Sequence, residues 1–189
     1  MRISKEPEVR KQEIIDTAMK VFAERGYEAV TMKDIAREMN VASGLCYHYF
    51  QNKQALYEEA VKKYAQSCSR SFIEVFSQTD LSVNECIERL GKVWQEAEDD
   101  CSYVYSGFFH EKGNELFHRQ LDMEMLHIIL PYVAAYLEEL KKRKEINVPD
   151  ARAAALFILN GEIGLINDSE MNSDQKLEIL KEFVLKVLK

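Results

Sequence analysis

Apolar residues recur at spacings of three and four along most of this chain, and few residues interrupt the pattern. The segment PEVRKQEIIDTAMKVFAERG places Ile14, Ile15, Ala18, Met19 and Phe22 on one helical face. With seven glycines and three prolines among 189 residues, the chain has few of the residues that favour turns. Because the apolar share of 47% is that of a folded protein with a real core, the chain is expected to be all-α.

The first helices are short and the fourth is long. The first is expected to end at Gly26, the second to follow Thr31 as an N-cap and run to about Asn40, and the third to reach Phe50. A long helix begins at about Gln54. Further helices are predicted at about 82–98, 101–112, 115–143, 150–167 and 173–188. This pattern predicts a three-helix head at residues 1–53 and a larger helical domain at residues 54–189.

Pro131 lies inside the predicted helix 115–143. We expect a kink there and not an end, because the apolar spacing resumes in YVAAYLEEL.

The net charge of -7 is unevenly distributed. Residues 1–65 hold eleven Lys and Arg against ten Asp and Glu, whereas the remainder holds fourteen against twenty-two. The acidity therefore belongs to the C-terminal part, and the overall charge does not argue against nucleic-acid binding by the N-terminal part.

The chain start and the cysteines indicate the compartment. MRISKEPEVRKQE has no apolar signal-peptide segment, and no apolar run is long enough for a membrane span. Four widely spaced cysteines, without a C-x-x-C pair, suggest neither a disulfide framework nor a zinc knuckle. We expect a cytoplasmic protein, with no membrane partner, whose thiols are reduced and mostly buried.

The stretch TMKDIAREMNVASGLCYHYFQNKQAL, residues 31–56, contains two helical patterns of about two turns joined by a short connection. This arrangement predicts a helix-turn-helix, in which the second helix enters the DNA major groove. A helical hairpin whose aromatic residues only pack is the plainer alternative. The combination of a capping Thr, a Gly in the second helix, a Tyr-His-Tyr-Phe run and a following Lys favours DNA binding.

The same stretch resembles the signature of the TetR family of bacterial transcriptional regulators, over about residues 8–60. The resemblance implies that Tyr47, His48 and Lys53 contact phosphates. Base reading would fall to Ser43 and Leu45, with Lys33 as a further candidate. Gly44 would let the helix backbone approach the duplex, and Thr31 with the amides at its helix start would face a phosphate.

Three positions depart from the family pattern. Asn40 stands where Gly is usual, but Asn tolerates a left-handed conformation. Ala42 replaces the usual capping Ser, so Ser43 either takes over the cap or remains available for base reading. Cys46 replaces a core Leu, and a buried thiol is the more frequent role for such a residue than redox sensing.

The resemblance also implies that the C-terminal domain binds a small-molecule effector and forms a homodimer through its last two helices. The sequence of 150–167 fits, because one face combines apolar residues with small ones that permit close approach. That face contains Ala153, Ala154, Phe157, Ile158, Gly161 and Gly164. An apolar stripe on the last helix contains Leu177, Leu180, Phe183, Val184, Val187 and Leu188. Packing within one chain is the alternative.

An effector pocket is expected between residues 82 and 140, where aromatic, Met and His residues are dense. The candidates are Trp94, Tyr103, Tyr105, Phe108, Phe109, Phe117, Met123 and His127. Each of them is also an ordinary core residue type. His110, His118 and His127 are spaced by eight and nine residues, which does not favour a metal site. The sequence predicts neither a metal nor another cofactor.

An enzyme and a helical adaptor are the two alternative classes of protein. An enzyme is not supported, because there is no Gly-rich phosphate loop, nucleophile elbow or H-E-x-x-H motif. A helical adaptor for protein partners remains compatible with the C-terminal part. The favoured hypothesis is a homodimeric regulator, more in keeping with a repressor than an activator, that binds a palindromic double-stranded DNA operator and responds to a small molecule.

Overall fold

The computed structural model describes residues 6–99, 106–109, 114–168 and 170–189. Within these ranges the chain forms nine α-helices and no strand, so the predicted all-α class is confirmed. The helices are α1 (Pro7–Arg25), α2 (Met32–Glu38), α3 (Ser43–Tyr49), α4 (Lys53–Phe76), α5 (Val83–Asp99), α6 (Ser106–Phe109), α7 (Glu115–Lys142), α8 (Ala151–Ile166) and α9 (Ser173–Val187).

The helix positions agree closely with those predicted from apolar spacing. Gly26 forms the C-cap of α1 at a φ of 79°, a conformation that glycine adopts without strain. Pro131 lies inside α7 and does not end it. The predicted helix 101–112 is described only in α6, and Cys101, Tyr103, Tyr105 and His110 lie outside the described residues.

The chain divides into two compact units. The first contains residues 1–65 and 103–121. Its core is built from α1 and the helices that follow, and Ile14, Phe22, Ile35, Cys46 and Leu56 are completely buried. The head core therefore includes the start of α4 as well as α1, α2 and α3, and α6 adds Phe108 and Phe109 to the same unit.

The second unit contains residues 66–102 and 122–189. Its core joins buried residues from the latter part of α7 with residues of α5, α8 and the chain end, among them Leu140, Ala155 and Leu188. The Leu188 carbonyl accepts a 2.9 Å hydrogen bond from the Asn147 amide, so the chain end is held against the loop before α8. By sequence range, α4 and α7 each begin in the first unit and end in the second.

Cys46, Cys68 and Cys86 are buried, as expected. None of the helices in the described ranges has both the length and the apolar composition that crossing a membrane requires.

Candidate nucleic-acid interface

Helices α2 and α3 are joined by a tight turn over residues 39–42. Asn40 adopts a φ of 54°, which confirms the left-handed conformation expected at this position. The Val41 amide donates to the Ala36 carbonyl at 2.9 Å and closes the turn. This turn fixes the start of α3 relative to α2, as a helix-turn-helix requires.

The start of α2 is held by a reciprocal capping box. The Thr31 hydroxyl accepts from the Asp34 amide at 3.3 Å, and the Asp34 carboxylate accepts from the Thr31 amide at 3.0 Å. The Thr31 hydroxyl also donates to that carboxylate at 2.5 Å, and these bonds lower the pKa of Asp34. Thr31 is thus the N-cap that the sequence predicts, with its hydroxyl already bonded within the protein.

Helix α3 begins without a side-chain cap. Ala42 is its N-cap residue and makes no side-chain hydrogen bond, so Ser43 stands one position inside the helix and does not cap it. Of the two roles that the sequence leaves open for Ser43, the structure removes the capping one. Its role in base reading remains a prediction.

One face of α3 is exposed and presents the residues proposed to contact DNA. Gly44, Tyr47 and His48, spaced by three and four residues, are exposed, and Tyr47 retains 50% of its surface. A β-carbon at Gly44 would meet no atom within 4 Å, so the backbone is open on this side. Cys46 points the other way and is fully buried, which holds the helix against the core.

The remaining predicted DNA contacts differ in accessibility. Lys33 is exposed on α2, whereas Ser43 and Leu45 are half-buried. The Lys53 ammonium donates to the Tyr27 carbonyl at 2.7 Å and lies 4.1 Å from the centroid of the Tyr27 ring. Since an ammonium has three donors, Lys53 can bind a phosphate without giving up this bond. Sequence reasoning did not anticipate Tyr27, whose loop precedes α2.

Those predicted effector residues that the structure describes are divided between the two units. Phe108, Phe109 and Phe117 belong to an aromatic cluster of the first unit, where the Phe117 ring lies 5.3 Å from Tyr27 and 5.1 Å from Tyr57. Phe108 and Phe109 are completely buried there.

The other effector candidates lie in the second unit or outside the described residues. Trp94 lines two apolar cavities of the second unit. Met123 and His127 are exposed on α7, and Tyr103 and Tyr105 lie outside the described residues.

The cavities are also bordered by a residue that the sequence analysis did not single out, Glu162 of α8. It lies three residues after Leu159 and four after Ile158, both of which line the first cavity. That spacing places a charge on an inward-facing side of α8, and this is the signal in the sequence that could have identified it.

An apolar groove follows the outer side of α8 and α9. Phe157 is 69% exposed and Phe183 is 53% exposed, and both line this groove together with Gly161 and Val187. These residues belong to the faces predicted to form the dimer. Exposed aromatic rings of this size on adjacent helices are typical of a surface that another protein covers.

Residues 14–60 match the family described as bacterial regulatory proteins, tetR family. The chain is 40% identical over 52 residues to the biofilm operon icaADBC HTH-type negative transcriptional regulator IcaR of Staphylococcus aureus, strain Newman. It is 33% identical over 64 residues to the IcaR of Staphylococcus epidermidis. These alignments cover 28% and 34% of this chain and 28% and 32% of the relatives, so the chain matches only about a third or less of the relatives' length.

Solved structures resemble the chain over nearly its whole length. A Mesorhizobium loti protein classed among the TetR-family transcriptional regulators covers 98% of this chain and 97% of its own, with a TM-score of 0.68 and 18% identity. The complex of RolR with resorcinol covers 96% of this chain and 88% of its own, with a TM-score of 0.64 and 20% identity. At these identities the likeness establishes the fold.

Proposed function

Because residues 14–60 match the family described as bacterial regulatory proteins, tetR family, we propose that the chain is a homodimeric DNA-binding repressor, released from a palindromic operator by a small molecule. The observation that carries the proposal is the exposed face of α3. Gly44, Tyr47 and His48 lie on that face. The capping box of α2 and the turn at Asn40 precede α3 in the chain and fix its start.

The chemistry of this face suits the two kinds of contact that a DNA reader needs. Tyr47 and His48 can donate hydrogen bonds to phosphate oxygens, and Lys53 adds a cation at the start of α4. The half-buried Leu45 can contact a thymine methyl, and Ser43 can bond a base edge. Roles for Thr31, whose hydroxyl is engaged in the cap, and for the exposed Lys33 are part of the same proposal.

Repression and dimerisation are supported by separate observations. The relatives matched by the head are named as negative transcriptional regulators. The outer groove of α8 and α9 offers an apolar face for a second copy of the chain, and a two-fold dimer would match a palindromic site. RolR, which shares the fold, was solved with resorcinol, and the cavities of the second unit are where we propose the effector binds here.

The proposal is tested by selecting genomic DNA fragments with the purified protein at low and physiological salt. The expected result is an enriched palindromic site. Tyr47→Phe, which removes only the hydroxyl proposed to bind a phosphate, should bind the selected site more weakly. Tyr132→Phe is the matched control, because Tyr132 is a 40% exposed tyrosine of α7 in the second unit. Absence of any enriched site would favour a helical adaptor for protein partners.

A further inference from the structure

Two apolar cavities lie side by side in the second unit, with volumes of about 80 and 100 Å³. They share five bordering residues, which are Phe76, Leu90, Trp94, Leu159 and Glu162. Four of these five are apolar or aromatic. A dry cavity of about 150 Å³ holds one benzene ring, so this pair limits a guest that spans both to about one ring.

Glu162 is the shared wall residue that is not apolar. In the described part of the chain no hydrogen-bond donor or cation is bonded to its carboxyl, and burial raises its pKa to about 7. The Glu162 side chain is half-buried and borders both cavities. A buried acid without a partner is costly and rare in folded proteins, and one explanation is that a ligand supplies the partner.

The other titratable groups that line the cavities are hydrogen-bonded within the protein, uncharged or exposed. Asp122 of α7 accepts from the Asn167 side-chain amide at 2.9 Å, and the Tyr136 hydroxyl donates to the Leu81 carbonyl at 3.2 Å. Burial raises the pKa of Cys86 to about 11 and keeps its thiol protonated. Lys181 of α9 also borders the first cavity and is exposed. Glu162 is therefore the carboxyl best placed to accept a bond from a guest.

From this arrangement we infer that the second unit binds a small lipophilic amine, whose single hydrocarbon ring occupies the apolar cavities and whose cationic nitrogen bonds to the Glu162 carboxylate. The aromatic walls formed by Trp94 and Phe76 suit both a ring and a neighbouring cation. The inference deepens the proposed function by naming a class of effector. It rests on that function only for the consequence of binding on DNA.

The test is calorimetric titration of the full chain, without DNA, with three probes of similar shape. Benzylamine, benzyl alcohol and toluene carry a cationic donor, a neutral donor and no donor. At pH 8 benzylamine is expected to bind at least tenfold more tightly than the other two. Its affinity should fall by about tenfold at pH 6, because a carboxyl with a pKa of about 7 is then mostly protonated.

Two variants distinguish the contribution of the Glu162 carboxylate to binding from that of the apolar cavities. Glu162→Gln should remove the preference for benzylamine and retain the affinity for toluene, which would show that the cavity is intact. Glu138→Gln is the matched control, because Glu138 is an exposed glutamate of α7, and it should bind all three probes as the parent does. The inference is overturned if the parent binds none of the probes, if it binds all three equally, or if Glu162→Gln keeps the preference.

A separate measurement distinguishes this inference from the proposed function. Benzylamine is added to the complex of the protein with its selected DNA, and release is measured by fluorescence anisotropy. Release that is absent in Glu162→Gln supports both proposals. Binding without release overturns the effector role and leaves the amine site standing, whereas DNA binding by a chain that takes up no amine overturns the site and leaves the regulator standing.

Discussion

Lys53 joins α4 to the loop that follows α1. Its ammonium bonds to the Tyr27 carbonyl and lies over the Tyr27 ring, although the two residues are 26 positions apart. The family resemblance implies that Lys53 contacts a phosphate, and the structure adds a contribution of Lys53 to the stability of the head. Both roles use the same charge, so a substitution has to be measured for folding and for DNA binding.

Lys53→Met should reduce both properties. The methionine keeps an apolar stem over the Tyr27 ring but loses a charged hydrogen bond, which costs about 1–2 kcal/mol in the free energy of unfolding. In a DNA titration across salt concentrations, affinity should fall alike for all sequences and the salt slope should decrease by about one. Urea denaturation and fluorescence anisotropy measure the two effects. An unchanged salt slope would show that Lys53 does not contact a phosphate.

Glu162 should make the stability of the protein depend on pH. Burial raises its pKa in the folded state from 4.5 to about 7, so the folded state binds the proton more tightly than the unfolded chain does. The folded state therefore loses stability as the pH rises from 4.5 to about 7. Relative to the parent, Glu162→Gln should gain about 2 kcal/mol between pH 5 and pH 8, measured by urea denaturation. An advantage that is the same at both pH values would contradict the burial of an unpaired carboxyl.

Local conformation and helix capping could be predicted where they depend only on residues close by in the sequence. The Thr31 capping box and the left-handed Asn40 follow from patterns within four residues, and the structure confirms both. The partner of Lys53 lies across a loop, and the isolation of Glu162 depends on which groups α5, α7 and α9 place around it. No local pattern carries that information.

Among the elements, α3 presents the proposed DNA-binding face and is held by packing more than by its cap. Ala42 gives it no side-chain cap, while the buried Cys46 anchors the helix to the core. Gly44 lowers the intrinsic helix propensity on the exposed side. Gly44 therefore makes α3 less stable at the position where its backbone is exposed.

Gly44→Ala should separate stability from function. The added β-carbon meets no protein atom within 4 Å, so the free energy of unfolding should rise by up to about 1 kcal/mol. Affinity for the selected DNA should fall by about tenfold, because the methyl group would lie between the helix backbone and the duplex. Ser67→Ala, at an exposed position of α4, is a control that improves helix propensity away from α3. If Gly44→Ala binds DNA as the parent does, close approach at Gly44 is excluded.

Helix positions were predictable to within a few residues, but helix neighbours were not. The apolar period gives the starts and ends of α5, α8 and α9 because it depends on residues one turn apart. The aromatic residues of α6 and of the start of α7 were proposed as effector residues from composition. The structure places Phe108, Phe109 and Phe117 in the aromatic cluster of the first unit, where α6 packs on α1, and composition carries no information about such a placement.

For the whole molecule, the proposed recognition of a palindromic site depends on the proposed dimerisation. The groove of α8 and α9 exposes two phenylalanines, and a second copy of the chain is its proposed occupant. The faces were predicted from small and apolar residues at helical spacing. Whether such a face packs inside the chain or against another is decided by the arrangement of α8 and α9, and the structure leaves Phe157 and Phe183 at the surface.

Phe157→Glu should convert the proposed dimer into a monomer, because a charge at the centre of an apolar interface cannot be desolvated without cost. Sedimentation velocity should show the mass of one 22.0 kDa chain, and binding to the palindromic site should weaken strongly. Leu116→Glu is the matched control, since Leu116 is 73% exposed on α7 and lies in the first unit. A Phe157→Glu protein that remains dimeric would place the interface elsewhere.

If α3 reads DNA sequence, as proposed, a salt titration of binding to the selected palindrome and to a scrambled duplex of equal length will show it. We expect the palindrome to be bound about 1,000-fold more tightly at physiological salt, and the logarithm of the affinity to fall linearly with the logarithm of the salt concentration. Equal affinity for the two duplexes, or no binding to either at low salt, would contradict it.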